Sequence, residues 1–310
     1  MTSWRPVIID CDPGHDDAIA IFLAAGNPSV DLLGITTVAG NQTLDHTTRN
    51  ACAIATLAGL DQVPVVAGCD RPLLRPLRTA AEFHGDSGLD GPAPIEPKVT
   101  PTDGHAVDFL IDTVLARPGE VSIVAVGPLT NVAMALRRAP EIAGAVRQVS
   151  VMGGAYTRGN TTPAAEFNIY VDPEAASIVF GAPWDVTMVG LDVTHQALYT
   201  PSVADRVAAL GSPAAVWVGE LMEFFGRVYL EGEGMASPPV HDPCALAALI
   251  EPALLPVRDA EVVIETAGTY TSGMTVVDFR GRPEVGRHHV GVGIEADKFW
   301  DLVVEAIAVL

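Results

Sequence analysis

Cysteine is scarce in this chain, and it shows no pairing pattern. The 310 residues include four cysteines: Cys11, Cys52, Cys69 and Cys244. None belongs to a Cys-x-x-Cys pair, and no histidine spacing beside them is typical of a zinc site. Four scattered cysteines in a chain of this length indicate reduced, mostly buried thiols. The sequence therefore argues against a disulfide scaffold and against a structural zinc site.

Basic residues are also few. The chain has 18 Lys and Arg residues against 38 Asp and Glu residues, which gives a formal net charge of −20. An acidic surface repels phosphate backbones and anionic lipids, so nucleic-acid polymers and membranes are poor partners. A neutral small molecule or a cation fits the charge better, although part of the acidity could be solubilising surface.

Long apolar runs are absent. No stretch reaches the ~20 residues needed to span a bilayer. The first apolar run, Val7–Ile9, has three residues, so we expect no signal peptide and a cytoplasmic location. Hydrophobic residues nevertheless make up 49% of the chain and charged residues 18%, as in a globular protein with a sizeable core. Without a repeat or a convincing linker, we expect residues 1–310 to form a single domain.

The first two-thirds of the chain alternate short apolar runs with longer helical patterns. The runs predict strands at Val7–Ile9, Leu32–Val38, Val63–Ala67, Val121–Val126, Val149–Met152 and Val186–Leu191. The patterns between them predict helices at Asp16–Ala25, Leu44–Leu60, His105–Ala116, Leu129–Arg138 and Pro173–Phe180. This repetition predicts an α/β fold, with a mainly parallel central sheet and helices on both faces.

The last third has a different pattern. It predicts helices at Pro213–Leu230, Pro243–Ile250 and Asp297–Ile307, and strands at Glu261–Thr266, Thr269–Phe279 and His288–Ile294. These strands indicate a small C-terminal antiparallel element. The longest irregular segment is the proline-rich stretch Arg71–Pro101, for which a functional loop and a plain surface excursion are equally good interpretations.

Four aspartates follow the first strand within eight residues: Asp10, Asp12, Asp16 and Asp17. Carboxylates this close repel one another unless a cation or hydrogen bonds compensate. Open parallel sheets bind ligands beyond the carboxyl ends of their strands, and hard divalent cations prefer oxygen ligands. In the alternative interpretation, two of the aspartates cap a turn and two begin a helix. The density of the cluster favours a metal, in a site that is neither an EF-hand nor a phosphate-binding loop.

Nine segments spread along the chain resemble the motifs of one family. They are DCDPGHDDAIA (Asp10–Ala20), AGNQTL (Ala39–Leu44), HGDSGLDG (His84–Gly91), GPLTNVAMAL (Gly127–Leu136), VMGGAY (Val151–Tyr156), AEFNIYVDPEAA (Ala165–Ala176), VGLDVTHQAL (Val189–Leu198), HDPCA (His241–Ala245) and GMTVVDFR (Gly273–Arg280). Together they resemble the nucleoside hydrolases, the inosine–uridine-preferring branch in particular. The resemblance covers essentially the whole chain.

The resemblance implies a Rossmann-like fold, a homodimer or homotetramer, and a role in nucleoside salvage. It implies Ca²⁺-dependent hydrolysis of the N-glycosidic bond of purine or pyrimidine ribonucleosides to free base and ribose. The implied Ca²⁺ ligands are the carboxylates of Asp12, Asp17 and Asp242 and the carbonyl of Val126. Other members carry Thr at position 126, but a backbone ligand tolerates the Val side chain.

The same resemblance implies roles for the remaining site residues. Asp12 would also take a proton from water, and His241 would act as general acid for a purine leaving group. Asp16 would bind the 2′-hydroxyl. The remaining substrate-binding positions are Asn41, His84, Met152, Asn160, Glu166, Phe167, Asn168 and Tyr229. This chemistry requires an activated water and a stabilised leaving base, since the ribosyl group develops oxocarbenium character.

Several of these residues also have structural interpretations. His241 could be a core histidine held by Asp242, His84 an exposed loop residue, and Asn41 and Asn168 turn or cap residues. Phe167, Phe225 and Tyr229 could be core aromatics. We expect His195, His288 and His289 to be structural or exposed. The segment Glu231–Gly234 is expected to be a flexible acidic lid, in which Glu233 replaces a basic residue of some relatives.

Other functions fit parts of the pattern. They include a hydrolase that prefers pyrimidine or modified ribonucleosides, a nucleoside- or ribose-binding protein without turnover, and a Ca²⁺-binding structural protein. A phosphatase or glycosyltransferase is disfavoured because no phosphate-binding basic residues accompany the aspartates. The polar set needed for turnover, including Asp12 and His241, is complete, which favours the enzyme.

Overall fold

The computed structural model describes residues 4–281 and 288–310. In this part of the chain nine strands form one sheet: β1 (Arg5–Cys11), β2 (Val30–Thr37), β3 (Val65–Ala67), β4 (Ser122–Ala125), β5 (Gln148–Met152), β6 (Val186–Val189), β7 (Val257–Ile264), β8 (Thr275–Asp278) and β9 (His288–Gly291). Their spatial order is β3-β2-β1-β4-β5-β6-β9-β7-β8.

The sheet is mainly parallel, as predicted. Every pairing from β3 to β9 is parallel, whereas β7 is antiparallel to both β9 and β8. The small antiparallel element at the C-terminal end of the chain is therefore confirmed. Strand β1 pairs with both β2 and β4, so the strand order reverses there. In open α/β sheets, ligands bind outside the carboxyl ends of the strands at such a reversal.

Helices cover both faces of the sheet. They are α1 (His15–Gly26), α2 (Leu44–Leu57), α3 (Ala81–His84), α4 (Ala106–Ala116), α5 (Thr130–Arg138), α6 (Ile142–Ala145), α7 (Phe167–Val171), α8 (Pro173–Phe180), α9 (Leu191–Thr194), α10 (Pro201–Ala208), α11 (Pro213–Glu233), α12 (Asp242–Ile250) and α13 (Ala296–Ile307). Successive β1 side chains point to opposite faces. Val7 and Ile9 pack with α1, α12 and α13, and Ile8 packs with α4, α5 and α8.

The turn between β1 and α1 brings the acidic cluster to the carboxyl edge of the sheet. Pro13, which has no backbone N–H, follows the strand. Asp17 then caps the start of α1, because its carboxylate accepts the backbone N–H of Gly14 at 2.8 Å and that of Asp12 at 3.2 Å. A carboxylate at a helix N-terminus also interacts favourably with the helix dipole.

Three predicted elements differ in the structure. The predicted strand Thr269–Phe279 shrinks to β8, because residues 269–273 form turns that end at Gly273 with a positive φ of 84°. Strand β6 ends at Val189, and the residues that follow form α9. The segment Glu231–Gly234 is not a flexible loop: α11 continues through Glu233, which lines the cavity, and ends at Gly234, whose φ of 68° provides a left-handed C-cap.

The short helices α3, α6, α7 and α9 have only four or five residues each, too few for a periodic pattern to reveal. The longest helix, α11, has 21 residues and carries charges along its length. Within residues 4–281 and 288–310, no helix combines the length and apolar character that a membrane crossing requires.

Candidate active site

A cavity of about 250 Å³ lies at the carboxyl edge of the sheet. Twelve of the fourteen predicted site residues line it: Asp16, Asn41, His84, Val126, Met152, Asn160, Glu166, Phe167, Asn168, Tyr229, His241 and Asp242. The other two, Asp12 and Asp17, are fully buried below the cavity. The structure therefore brings the predicted set to one place, although the residues come from all parts of the sequence.

The floor of the cavity is formed by carboxylates from α1 and from the start of α12. Asp16, Asp17 and Asp242 each offer an oxygen, and these oxygens all lie within 4.8 Å of one another. Burial, followed by repulsion from Asp16, raises the pKa of Asp17 to about 7. The pKa of Asp242 is raised well above its usual range for the same two reasons. Such a cluster is costly without a counter-charge.

Asp12 lies beside this group, and its two oxygens have different surroundings. Oδ2 accepts the backbone N–H of Asn41 at 2.6 Å. Oδ1 is buried and has no hydrogen-bond partner among the described residues. Gly40 and Gly127 pack against the carboxylate from two sides, so close that neither could carry a side chain without displacing it. A buried carboxylate oxygen without a partner is uncommon, and a cation or a water molecule would satisfy it.

The carbonyl of Val126 follows β4 and lines the same cavity. Asn168 Nδ2 donates to it at 2.8 Å, and to the carbonyl of Met152 at 3.1 Å. One carboxamide thus ties the ends of β4 and β5 together. A carbonyl oxygen has two lone pairs, so that of Val126 can still accept a second partner.

His241 lies beside this floor, between two hydroxyl groups. Its Nδ1 lies 2.7 Å from Thr194 Oγ1, and its Nε2 lies 3.0 Å from the Tyr229 hydroxyl. Burial lowers the pKa of His241 to about 4, so the ring is neutral near pH 7. Its backbone N–H donates to Asp16 Oδ2 at 3.1 Å. The ring is therefore held by Thr194 and Tyr229 rather than by Asp242.

Glu166 caps the short helix α7 beneath the cavity. Its carboxylate accepts the backbone N–H groups of Asn168 at 2.8 Å, Gly154 at 2.9 Å and Ile169 at 3.2 Å. Burial raises its pKa to about 7 in spite of these hydrogen bonds. Asn160 lies nearer the surface, where its Oδ1 accepts the backbone N–H of Phe167 at 3.0 Å. Both residues therefore also have structural roles.

His84 ends helix α3 rather than lying in a loop, and it is buried. The residues after it form a tight turn in which the Asp90 carboxylate accepts the N–H groups of Asp86 and Ser87 at 3.1 Å. Gln42 and Asn50 donate to carbonyls of the same turn. The proline-rich segment Arg71–Pro101 thus contributes a fixed wall of the cavity.

Sequence reasoning missed several residues that line the cavity: Arg78, Glu82, Phe83, Arg158, His195 and Met235. The ring of His195, expected to be structural or exposed, lies 5.7 Å from that of His241. Phe225 and Tyr229, which are buried as core aromatics would be, line the cavity as well. His288 bonds to Phe180 and Val262, and His289 to Asp259, in agreement with structural roles.

Comparison with known proteins decides the family. Residues 7–301 match the model of the inosine-uridine preferring nucleoside hydrolase family. This chain belongs to that family. It is therefore an enzyme of the nucleoside hydrolase class, whose members hydrolyse N-glycosidic bonds.

Similar proteins differ in the bases that their names mention. The chain is 48% identical over 306 residues to the inosine-uridine preferring nucleoside hydrolase of Crithidia fasciculata, covering 98% of this chain and 97% of that one. It is 46% identical over 308 residues to the pyrimidine-specific ribonucleoside hydrolase RihA of Citrobacter koseri, with 98% of each covered. The solved purine-preferring ribonucleoside hydrolase of Gardnerella vaginalis superposes with a TM-score of 0.92 at 34% identity, with 98% of each chain covered.

Proposed function

We propose that this family member is a Ca²⁺-dependent ribonucleoside hydrolase that releases free base and ribose, and that residues 1–310 act as one domain. The observation that carries the proposal is the juxtaposition of a buried carboxylate cluster with the His241–Tyr229 pair in a single cavity. Purine and pyrimidine ribonucleosides are both candidate substrates, since relatives of both preferences are similar to this chain.

The donor set fits a hard cation. It consists of oxygens alone, from Asp12, Asp17, Asp242 and the Val126 carbonyl, and Asp12 Oδ1 has no partner among the described residues. Asp16 belongs to the same cluster as Asp17 and Asp242, and we assign it to the ribose 2′-hydroxyl. Oxygen-only ligation of this charge is typical of Ca²⁺. When bound, the cation supplies a lowered water pKa and an anchor for the ribose diol.

Asp12 acts as general base in this proposal. Asn41 and the two flanking glycines hold its carboxylate in place, so the unpartnered Oδ1 can accept a proton from the attacking water. Asn41 and Asn168 orient the ribose and the water, while Asn160 and Glu166 bind the 5′-hydroxyl end. Holding the sugar from both ends favours the distorted, oxocarbenium-like transition state over the substrate.

His241 supplies the proton for the leaving base. Its Nε2 lies 3.0 Å from the Tyr229 hydroxyl and both side chains line the cavity, so a base bound there lies within reach of the proton that the two side chains share. Their burial keeps water away from this path. Met152 and Phe167 provide apolar contacts, and His84 closes the wall next to Phe225.

A hydrolase of a modified ribonucleoside is the second candidate. Besides Asp16, Glu166 and Asp242, the cavity is lined by Arg78, Glu82, Arg158 and Glu233. These charges could bind a polar substituent that plain ribonucleosides lack.

The test is release of ribose from inosine, uridine, adenosine, guanosine and cytidine, before and after exhaustive EDTA treatment. We expect turnover that chelation abolishes and that Ca²⁺ restores. Turnover that survives metal removal would contradict the Ca²⁺ assignment. No ribose from any of the five, with metal bound, would instead favour a modified substrate or a binding protein without turnover.

A further inference from the structure

One of the eight histidines has a side chain without a hydrogen bond. The other seven have a partner within residues 4–281 and 288–310: His15, His46, His84, His105, His241, His288 and His289. The side chain of His195 has no hydrogen bond and no ion pair in this part of the chain. Neither of its ring nitrogens is among the atoms that are sealed from solvent without a partner. Both nitrogens are therefore accessible to a ligand.

His195 lies in the cavity beside His241. It is the C-cap of helix α9, which begins two residues after β6 ends at the carboxyl edge of the sheet. Its side chain lines the cavity, and its ring centroid lies 5.7 Å from that of His241. The preceding residue, Thr194, is fully buried, and its Oγ1 lies 2.7 Å from His241 Nδ1. Two consecutive residues thus adjoin the proposed general acid, one with a hydroxyl and one with a ring.

The backbone that carries His195 is fixed by hydrogen bonds. The Asp192 carboxylate accepts the backbone N–H of Tyr156 at 2.7 Å and the hydroxyl of Thr157. The backbone N–H of His195 donates to the carbonyl of Leu191 at 3.0 Å. The imidazole is therefore held at the cavity by its backbone while its nitrogens stay unoccupied. A group that is positioned in advance loses little conformational entropy when it binds a ligand.

The ring of His195 is neutral near pH 7. Burial, followed by repulsion from His241 and Arg158, lowers its pKa to about 4. A neutral imidazole offers one N–H donor and one bare nitrogen acceptor. Purine and pyrimidine bases carry donors and acceptors along their edges, so such a ring is suited to bind them. The ribose hydroxyls are assigned to the carboxylate floor, which leaves the base for the two neighbouring histidines.

We propose that His195 is a catalytic residue that hydrogen-bonds the leaving base beside His241. This inference rests on the proposed function, in which His241 supplies the proton. When the bond between ribose C1′ and the base nitrogen breaks, its electron pair passes to the base. The proton from His241 goes to one atom of the base, and the N–H of His195 donates a hydrogen bond to another. His195 keeps its hydrogen, and this bond strengthens as negative charge develops on the base.

Two substitutions separate hydrogen bonding by His195 from packing. His195→Phe keeps a flat ring and removes both nitrogens. His195→Gln removes the ring but keeps a donor and an acceptor. His46→Phe is the matched control, because His46 is exposed and does not line the cavity.

The first readout is calorimetric binding of 9-deazainosine and of ribose to the Ca²⁺-loaded protein. A carbon–carbon bond joins base and ribose in 9-deazainosine, so this nucleoside binds without being hydrolysed. We expect its affinity to fall about fivefold in His195→Phe, to recover in His195→Gln and to stay unchanged in His46→Phe. The affinity for ribose should not change. Unchanged binding of 9-deazainosine by folded His195→Phe overturns the proposal, as does an equal loss of affinity for ribose, which would indicate a structural role.

The wild type provides a test that does not depend on the folding of His195→Phe. The ring ¹⁵N signals of His195, assigned from His195→Gln, should shift when 9-deazainosine binds and stay in place when ribose binds. Signals that do not respond to 9-deazainosine overturn the contact with the base.

The second readout is turnover of inosine. His195→Phe should lower kcat/KM by roughly 10- to 100-fold, the value of a hydrogen bond to a charged group. An unchanged kcat/KM contradicts the catalytic role. If the wild type binds 9-deazainosine but hydrolyses no ribonucleoside, the proposed function fails, while the binding comparison still decides whether His195 contacts the base.

Discussion

Gly127 packs against the carboxylate of Asp12 so closely that a methyl group on its Cα would lie 2.5 Å from Asp12 Oδ1. The glycine therefore leaves the space in which the proposed general base stands. We predict that Gly127→Ala displaces this carboxylate and lowers kcat/KM about 100-fold, because misplacement of a reacting group by about 1 Å has that effect. Steady-state kinetics on inosine and uridine test this. Gly144→Ala is the matched control, because nothing lies within 4 Å of its added methyl and its activity should equal that of the wild type.

Substitution of Asp12 itself should cause the largest loss of activity. We predict that Asp12→Ala abolishes ribose release almost completely while the protein stays folded, since the Asp12 carboxylate makes a single hydrogen bond to a backbone N–H, that of Asn41. Circular dichroism checks the fold, and exposed Asp45→Ala is the control. Substantial turnover by folded Asp12→Ala would exclude this residue as the base.

The hydroxyl of Tyr229 and Nε2 of His241 give a prediction that depends on the leaving group. His241→Ala should reduce hydrolysis of inosine much more than that of a riboside with a good leaving group, such as p-nitrophenyl riboside, because only the former needs protonation of its leaving group. Tyr229→Phe keeps the ring but removes the 3.0 Å contact, and it should show a weaker loss of the same kind. Equal losses on both substrates in His241→Ala would contradict its role as general acid.

Glu166 should make the protein less stable as the pH rises. Its pKa is about 7 when folded against an ordinary 4.5, so the folded state binds the proton more tightly and stability falls between pH 4.5 and 7. Between pH 5 and 8 this group should remove about 2 to 3 kcal/mol from the free energy of unfolding. Urea unfolding at pH 5 and at pH 8 measures the change in the free energy of unfolding between the two pH values. In Glu166→Gln this change should be smaller than in the wild type by the same amount. Exposed Glu305→Gln controls for the loss of one negative charge.

Ca²⁺ should stabilise the fold as well as support turnover. A ligand that binds only the folded state adds about 2.7 kcal/mol at 100 times its dissociation constant, and here it also relieves repulsion among the buried carboxylates. Urea unfolding with Ca²⁺ and with EDTA measures the difference. In Asp242→Asn the increment should largely disappear, and an increment equal to that of the wild type would remove Asp242 from the ligand set.

The sequence predicts most of the fold because apolar, β-branched runs are separated by long helical patterns. The prediction fails where residues with a strand-like composition form a local turn instead. Thr269–Phe279 has strand-like composition, yet Gly273 at a positive φ and the exposed Tyr270 belong to turns before the short strand β8. At the end of α11 the sequence predicts too little regular structure. Two glycines in Glu231–Gly234 indicate a flexible loop, but only Gly234 lies outside the helix.

The site residues also fall into a group that the sequence predicts and a group that it misses. Residues inside contiguous motifs, such as Asp16 and His241, could be placed at the cavity from the sequence because the motifs fix their positions relative to strands and helices. His195 and Phe83 could not, since nothing in their local sequence distinguishes a cavity residue from a core residue. A contact between the rings of His15 and His84 joins residues 69 positions apart and depends on the rings of α11, so only the folded chain reveals it.

The hydrogen bond from the backbone of His241 to Asp16 joins residues 225 positions apart. During synthesis on the ribosome, the aspartates near the start of the chain therefore emerge long before the helix that completes their surroundings. Until α12 docks on α1, the nascent protein holds a group of mutually repelling carboxylates with no opposite wall. A helix made late in synthesis thus closes the acidic floor, and a truncated product that lacks α12 and the chain after it should neither retain the cation tightly nor release ribose.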